Sequence, residues 1–264
     1  MQAVRTPSTP RPLHLRGSAL HLLAATALAL TLAACSDPEA ERAAAAAQAA
    51  AKEQAAEQAA AAVDGAVKAE DWRTAKSLAD LLLHDHPGTA AAERVRGDYD
   101  AIKAKAEAAR EAQRLAALWA YDSQGVPGGL QLSASIYAKD EVNVGGTGTT
   151  PVRLIFRDHP SWGRSSYLVL NEGDFDCYGG CRVKVTVGDA APVSLPGTRP
   201  DTDEAIAMFI DDEKRMWRLT KDAAPAEGTP ARTITVEFPS KGAGKVTAVF
   251  EVGGLDPGRL AKWN

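Results

Sequence analysis

The chain has 264 residues, and its 30 lysines and arginines against 34 aspartates and glutamates give a formal net charge of −4 at pH 7. An acidic balance disfavours nucleic acid and anionic lipid headgroups as partners, because both bind basic surfaces. The length allows one or two domains, and the cysteines number only three, so the position of each is informative.

The first 34 residues are typical of a secretion signal. Residues 1–18 contain three arginines and no acid, and an apolar run follows from Ala19 to Ala34. This run is shorter than the roughly 20 apolar residues that a transmembrane helix needs, whereas a basic segment before a short apolar one indicates a signal peptide. The run ends in Leu32-Ala33-Ala34-Cys35, which resembles the lipobox of bacterial lipoproteins.

This resemblance implies that residues 1–34 are cleaved off and that Cys35 carries acyl chains, which hold the protein on a membrane. An ordinary signal peptide cut at an Ala-x-Ala-like site is the alternative. Ser36 follows the cysteine and Asp37 comes one residue too late for inner-membrane retention, so the enterobacterial sorting rule implies the periplasmic face of the outer membrane. The inner membrane stays open as a second location.

Residues 35–118 are predicted to be helical. From Glu41 to Ala62 the chain is nearly all alanine, the residue with the highest helix propensity. This helix is predicted to be either a solvated spacer, rising about 1.5 Å per residue, or an alanine coiled coil that makes the protein oligomeric. The spacer is favoured, because large apolar residues do not form a sustained seam.

Two shorter helices are predicted next. One runs from Trp72 to about His84 with Asp71 as its N-cap, and the other begins after Thr89 and reaches about Leu118. The residues that resemble one tetratricopeptide-type hairpin are Glu70-Asp71-Trp72, Ala75, Leu78-Ala79, Leu82, Pro87 and Ala91-Ala92. Since such repeats need about three copies to bury a core, a plain antiparallel hairpin packed on the alanine helix is the alternative.

Residues 119–264 are predicted to form an antiparallel β-sandwich or barrel of at least seven strands. Apolar residues alternate with polar ones in several segments, and Asp211 or Asp212 is expected to cap a short helix from Glu213 to Ala223. The proline-rich stretch Pro192–Pro200 is expected to cross between strands. The predicted fold class is therefore α+β, with a helical stalk and hairpin before an antiparallel β-sandwich that carries one hairpin disulfide.

The predicted disulfide joins Cys177 and Cys181. If Cys35 is lipidated, these two cysteines remain as an even pair in an oxidising compartment. They bracket Gly179-Gly180, which is expected to be the turn of a hairpin over residues 167–187. A redox pair or a thiolate metal site is the alternative, but the usual CxxC spacing and further metal ligands are missing.

A second resemblance covers the β half. Its residues are Trp119-x-Tyr121, Gly173-x-Phe175-x-Cys177, the alternating run from Cys181 to Val187, Phe209-Ile210 and Phe250–Leu255. Together they are similar to a β-domain of uncharacterised bacterial lipoproteins. The resemblance implies a fold and no established activity.

The sequence contains no phosphate loop, dinucleotide-binding glycine motif, Gly-x-Ser-x-Gly elbow or His-Glu-x-x-His. His159 lies beside Asp158 and near Ser161, but neighbours in sequence are not thereby oriented as a triad. His84 and His86 are two residues apart, so they do not share one helical face as metal ligands. No catalytic residue, metal or cofactor is predicted.

An acidic region is predicted to be solvated or to cap the short helix, with calcium binding as the alternative, although the EF-hand pattern is absent. Its members are Asp201, Asp203, Glu204, Asp211 and Asp212.

The expected function is non-catalytic binding of another envelope protein by a membrane-anchored lipoprotein. The alternatives are an inhibitor or immunity-type lipoprotein that neutralises a secreted envelope-acting enzyme, and a cell-wall hydrolase with an unrecognised site.

Overall fold

The computed structural model describes residues 37–146, 148–226 and 229–263. The predicted signal peptide and the predicted lipidation site Cys35 lie outside these residues. By internal contacts the chain divides into residues 1–48 and residues 49–264. Within the described ranges, no helix combines the length and the apolar character that crossing a membrane requires.

Three helices come first, and both predicted N-caps are confirmed. They are α1 (Pro38–Lys68), α2 (Trp72–Asp85) and α3 (Ala90–Ala117). The backbone N–H of Thr74 donates to Asp71 Oδ1 over 3.2 Å, and that of Ala92 donates to Thr89 Oγ1 over 3.2 Å. Each cap satisfies one of the N–H groups that a helix start leaves without a partner inside the helix.

The two parts of α1 differ in burial. Residues 37–48 are exposed throughout, as the spacer prediction expects. In the second part, Ala56, Ala60 and Val63 are buried in one apolar cluster with α2 and α3. The spacer prediction is therefore wrong for this part of α1, because small alanine side chains let it pack closely on the helical hairpin.

A nine-stranded antiparallel sheet follows, in the order β1-β2-β3-β4-β7-β6-β5-β8-β9. The strands are β1 (Trp119–Val126), β2 (Gly129–Tyr137), β3 (Val152–His159), β4 (Gly163–Leu170), β5 (Cys181–Val187), β6 (Val193–Thr198), β7 (Ala207–Ile210), β8 (Ile234–Ser240) and β9 (Gly244–Phe250). A short helix, α4 (Glu213–Asp222), follows β7, and the backbone N–H of Arg215 donates to Asp212 Oδ1 over 3.1 Å as its cap.

The sheet folds over one shared core. All nine strands contribute buried residues to a single apolar cluster. Beyond the end of β2, the backbone N–H of Lys139 donates to the carbonyl of Val249 on β9 over 2.7 Å. This bond brings the segment after β2 against β9, the last strand in the order of the sheet. The α+β prediction with its antiparallel sheet, short helix and disulfide is confirmed.

Two local predictions are wrong. The hairpin expected over residues 167–187 does not form, because β4 pairs with β3 and β7 while β5 pairs with β6 and β8. The stretch Pro192–Pro200, expected to be a crossing, contains β6. Pro196 lies opposite Arg182 there, and its carbonyl accepts from the backbone N–H of Asp211 over 3.0 Å. Proline lacks the backbone N–H donor but keeps its carbonyl acceptor, so β6 forms in spite of Pro196.

Candidate functional site

The predicted disulfide between Cys177 and Cys181 is confirmed, with an S–S distance of 2.09 Å. It closes a tight turn in which the backbone N–H of Gly180 donates to the Cys177 carbonyl over 3.2 Å. The Arg199 guanidinium lies 3.8 Å from the ring centre of Tyr178 in this turn and 2.6 Å from Asp174 Oδ1. These contacts give the cysteine pair a structural role at the start of β5.

Removal of the disulfide, by Cys177→Ala with Cys181→Ala, is expected to lower the free energy of unfolding by about 2 kcal/mol. The loss is small for a disulfide because the bond closes a short loop and the entropic gain grows only with the logarithm of loop length. Urea unfolding with and without reductant measures it. Reductant should destabilise the wild type to the level of the double variant and leave that variant unchanged. If reductant changed the stability of both proteins by the same amount, the structural role of the disulfide would be contradicted.

The structure separates the residues of the possible triad. His159 Nδ1 accepts from the backbone N–H groups of Ser161 and Trp162, over 3.1 and 3.3 Å. The buried Asp158 carboxylate lies 3.3 Å from Lys262 Nζ. His159 therefore shapes the turn between β3 and β4, and Asp158 holds the C-terminal segment, so neither orients the other.

The residues of the predicted acidic region have different roles in the structure. Asp212 caps α4, Asp203 accepts from Arg199 over 2.8 Å, and Asp211 accepts from Thr198 Oγ1 over 2.9 Å. Burial raises the pKa of Asp211, and the hydrogen bond from Thr198 opposes this shift. Among the described residues, no group of three or more histidine, cysteine or acidic side chains gathers as a metal site.

A groove runs along the outer face of β4 and has a volume of about 740 Å³. We call it the β4 groove. Its lining residues are Arg157, Trp162, Ser165, Tyr167, Val169, Pro200, Asp201, Thr202, Glu204, Ile206, Ala207 and Phe209. They come from β3, β4, β7, the turn between β3 and β4, and the loop before β7, so the sheet register brings them together.

Arg157 lies among aromatic rings at one end of the β4 groove. Its guanidinium carbon is 5.4 Å from the ring centre of Trp162, 5.3 Å from that of Tyr167 and 6.0 Å from that of Phe209. Its Nε donates to Ser165 Oγ over 3.1 Å, which fixes the plane of the guanidinium. An arginine held in this way presents its remaining N–H groups in a fixed direction.

Besides Arg157, the β4 groove is lined by exposed apolar side chains and by acidic residues. Trp162 is 70% exposed and Ile206 is 39% exposed, which is unusual for large apolar side chains grouped on one surface. Burial raises the pKa of Tyr167, against the opposing charges of Arg157 and Arg153, so the phenol stays protonated at neutral pH. Asp201 and Glu204 lie in the loop that leads into β7.

Sequence reasoning missed the β4 groove as a unit. It identified Asp201 and Glu204 as solvated acids and Phe209 as part of the resemblance to a β-domain. The available signal was the outward face of the strands, where alternation places Tyr167 and Phe209 at positions that a solvated sheet fills with polar residues. The register confirms that these two residues are opposite each other on β4 and β7.

The chain has no match among protein-family models, curated proteins or solved structures. What the β4 groove binds is therefore inferred from its own side chains. Trp, Tyr and Arg are the residue types that contribute most to binding energy at protein interfaces, and all three lie together here.

Proposed function

We propose that this protein is a lipid-anchored lipoprotein of the bacterial envelope that binds another envelope protein and catalyses no reaction. Its location would be the periplasmic face of the outer membrane. The anchor rests on the resemblance of Leu32-Ala33-Ala34-Cys35 to a lipobox. The binding role rests on the β4 groove, where an arginine, exposed apolar side chains and an acidic end adjoin.

The β4 groove supports binding better than catalysis. Its charged side chains are one fixed arginine and carboxylates on a loop, which suit recognition by charge. The exposed tryptophan adds apolar area of the kind that protein interfaces cover. The first predicted helix also fits this role, since residues 37–48 are exposed throughout and follow directly on the lipidation site.

The anchor is tested by replacing Cys35 with alanine. The wild-type chain is expected in the membrane fraction, with acyl mass on its amino-terminal residue in intact-protein mass spectrometry. Because the acyl chains supply the membrane affinity, Cys35→Ala should lack this mass and leave the membrane fraction. If the variant still sediments with membranes, or the wild type carries no acyl chain, the proposed anchor is wrong.

The binding role is tested by crosslinked pull-down of the tagged chain from intact cells, followed by mass spectrometry. Trp162→Ala should reduce recovery of the specific partner at least tenfold, the loss expected for a hot-spot residue. Leu130→Ala is the matched control, because Leu130 is also exposed, at 61%, and lies outside the groove. Equal recovery with both variants would contradict binding through the groove.

The same pull-down separates the proposed role from its alternatives. A scaffold should recover its partner as a structural envelope component. Recovery of a single secreted enzyme at one-to-one stoichiometry, with its activity blocked, would instead favour the inhibitor or immunity-type function. Wild-type chain that cleaves isolated cell wall would contradict the non-catalytic proposal.

A further inference from the structure

We propose that the β4 groove binds an extended peptide segment of the partner protein with a defined charge pattern. The segment places an acidic side chain at Arg157, an apolar side chain over Tyr167 and Phe209, and a basic side chain near Asp201 and Glu204. This inference rests on the proposed function and specifies the chemistry of the partner.

Arg157 determines the acidic position of the ligand. Its Nε is occupied by Ser165 Oγ, whereas its two terminal nitrogens have no acceptor within the part of the chain that the structure describes. Two parallel N–H groups of a guanidinium match the two oxygens of a carboxylate. The rings of Trp162 and Tyr167 lie within 5.4 Å of the Arg157 guanidinium and would shield one side of such a pair from water, which strengthens it.

Asp201 and Glu204 determine the basic position. Both are exposed, and neither side chain forms an ion pair with any described residue. Their neighbour Asp203 differs, because it accepts from Arg199. Two carboxylates at this end repel a ligand that is negative along its whole length, so phosphate polymers and nucleic acid fit the groove poorly.

Arg153 has a charge that reaches Tyr167, but in the described part of the chain it forms no ion pair with Asp201 or Glu204. It lies opposite Val169 in the register of β3 and β4, but it is not part of the groove lining. Its guanidinium is 5.8 Å from the ring centre of Tyr137 on β2, the neighbour of β3 on the side away from β4. The groove therefore keeps one positive and one negative end.

The register gives a lower limit for the spacing between the two charged positions. Arg157 is opposite Ser165 near the start of β4, and Ala207, which follows the acidic loop, is opposite Val169. Four residues of strand span roughly 13 Å at about 3.3 Å per residue. Arg157 on β3 and Ala207 on β7 lie on opposite sides of β4, which adds to this distance. The acid and the base of an extended ligand are therefore at least four residues apart, with the apolar residue between them.

The pattern is tested by selecting displayed random peptides on the immobilised, detergent-purified full chain. The wild type should enrich one acidic and one basic residue at least four positions apart with an apolar residue between them, in either direction. Arg157→Glu makes both ends acidic and should enrich two bases at that spacing. Asp201→Lys with Glu204→Lys makes both ends basic and should enrich two acids. The proposal would be overturned if the selected peptides had the same charged residues for the wild type and both variants. It would also be overturned if only apolar residues were enriched.

A fluorescent peptide from the wild-type selection then tests Arg157 by anisotropy. Arg157→Gln should weaken binding about tenfold to a hundredfold, the range for a lost charge-assisted hydrogen bond. Arg157→Lys should recover only part of this, because lysine lacks the fork of donors. Arg182→Gln is the control, because Arg182 Nε also donates to a serine, Ser194 Oγ over 3.0 Å, but lies outside the groove lining; it should leave the affinity unchanged. Equal effects of Arg157→Gln and Arg182→Gln would overturn the assignment of the acidic position.

These outcomes are separable from those of the proposed function. If Trp162→Ala abolishes the pull-down while peptide selection enriches no charged pattern, the partner binds the groove with a folded surface and the peptide inference is wrong. If selected peptides bind and the pull-down is insensitive to Trp162→Ala, the groove has the inferred chemistry and the proposed envelope partner is wrong. Circular dichroism of each variant confirms that the fold persists.

Discussion

Replacing Phe156 with alanine is expected to lower the free energy of unfolding by about 3–5 kcal/mol, the usual loss when a buried phenylalanine is removed. Phe156 is fully buried on β3. Its ring centre lies 6.2 Å from that of Trp119, 5.0 Å from that of Trp217 and 5.3 Å from that of Trp263. The substitution removes all three aromatic contacts and leaves a cavity among rigid indoles, which collapse poorly into it.

Phe209→Ala is the matched control for this prediction. Phe209 lies on the outer face of the same sheet, where it is half-buried and meets Tyr167 with ring centres 5.4 Å apart. Its removal should cost about 1 kcal/mol, close to the value of one aromatic pair. Urea unfolding followed by circular dichroism measures both variants. Losses of equal size would contradict the assignment of the core to the inner face of β3.

The helical part was predictable because its signals are local. Asp71 and Thr89 cap helices through backbone groups three residues away, and the apolar spacing that follows each cap lies within the same helix. The sequence therefore contains both the start and the buried face of each helix. The packing of Ala56 and Ala60 was not predictable, since alanine has the same high helix propensity whether it is buried or solvated.

The sheet was predictable as a class and not in its pairing. Alternation identified most strands, but strand neighbours depend on contacts between residues far apart in sequence. The Gly179-Gly180 turn predicted a hairpin in which β4 and β5 would pair, whereas β5 pairs with β8 instead. Pro196 indicated a break, and the pairing of β5 with β6 outweighed this local preference. The disulfide was predictable from cysteine parity, because parity does not depend on strand order.

The β4 groove was unpredictable for the same reason. Arg157 and Asp201 are far apart in sequence and meet in one groove only because β7 pairs with β4. No motif connects residues that the strand order alone brings together. The charge pattern proposed for the ligand therefore depends on the register of β3, β4 and β7, and the charge-reversal selections test that register as well as the ligand.

Replacing Gly254 with alanine is expected to lower the free energy of unfolding by about 3 kcal/mol, at the upper end for overpacking. Gly254 lies in a 3-10 turn after β9, against the end of α3. A Cβ there would overlap the backbone of Leu115 and Ala116, and backbone yields less than a flexible side chain. An ion pair of 2.8 Å between Arg114 and Glu251 joins the same elements, so α3 has to move away from the sheet.

Gly97→Ala is the control on the same helix, and it should have the opposite sign. Gly97 lies inside α3 with open space around the position of a Cβ, so alanine should stabilise the protein by about 0.5–1 kcal/mol. Urea unfolding compares the two variants, and hydrogen exchange across residues 114–119 reports where the strain acts. Protection lost at this junction in Gly254→Ala alone would establish that α3 is held on the sheet by close backbone contact. If Gly254→Ala is as stable as the wild type, the prediction is wrong. The end of α3 would then shift to accommodate one methyl group with no loss in the free energy of unfolding.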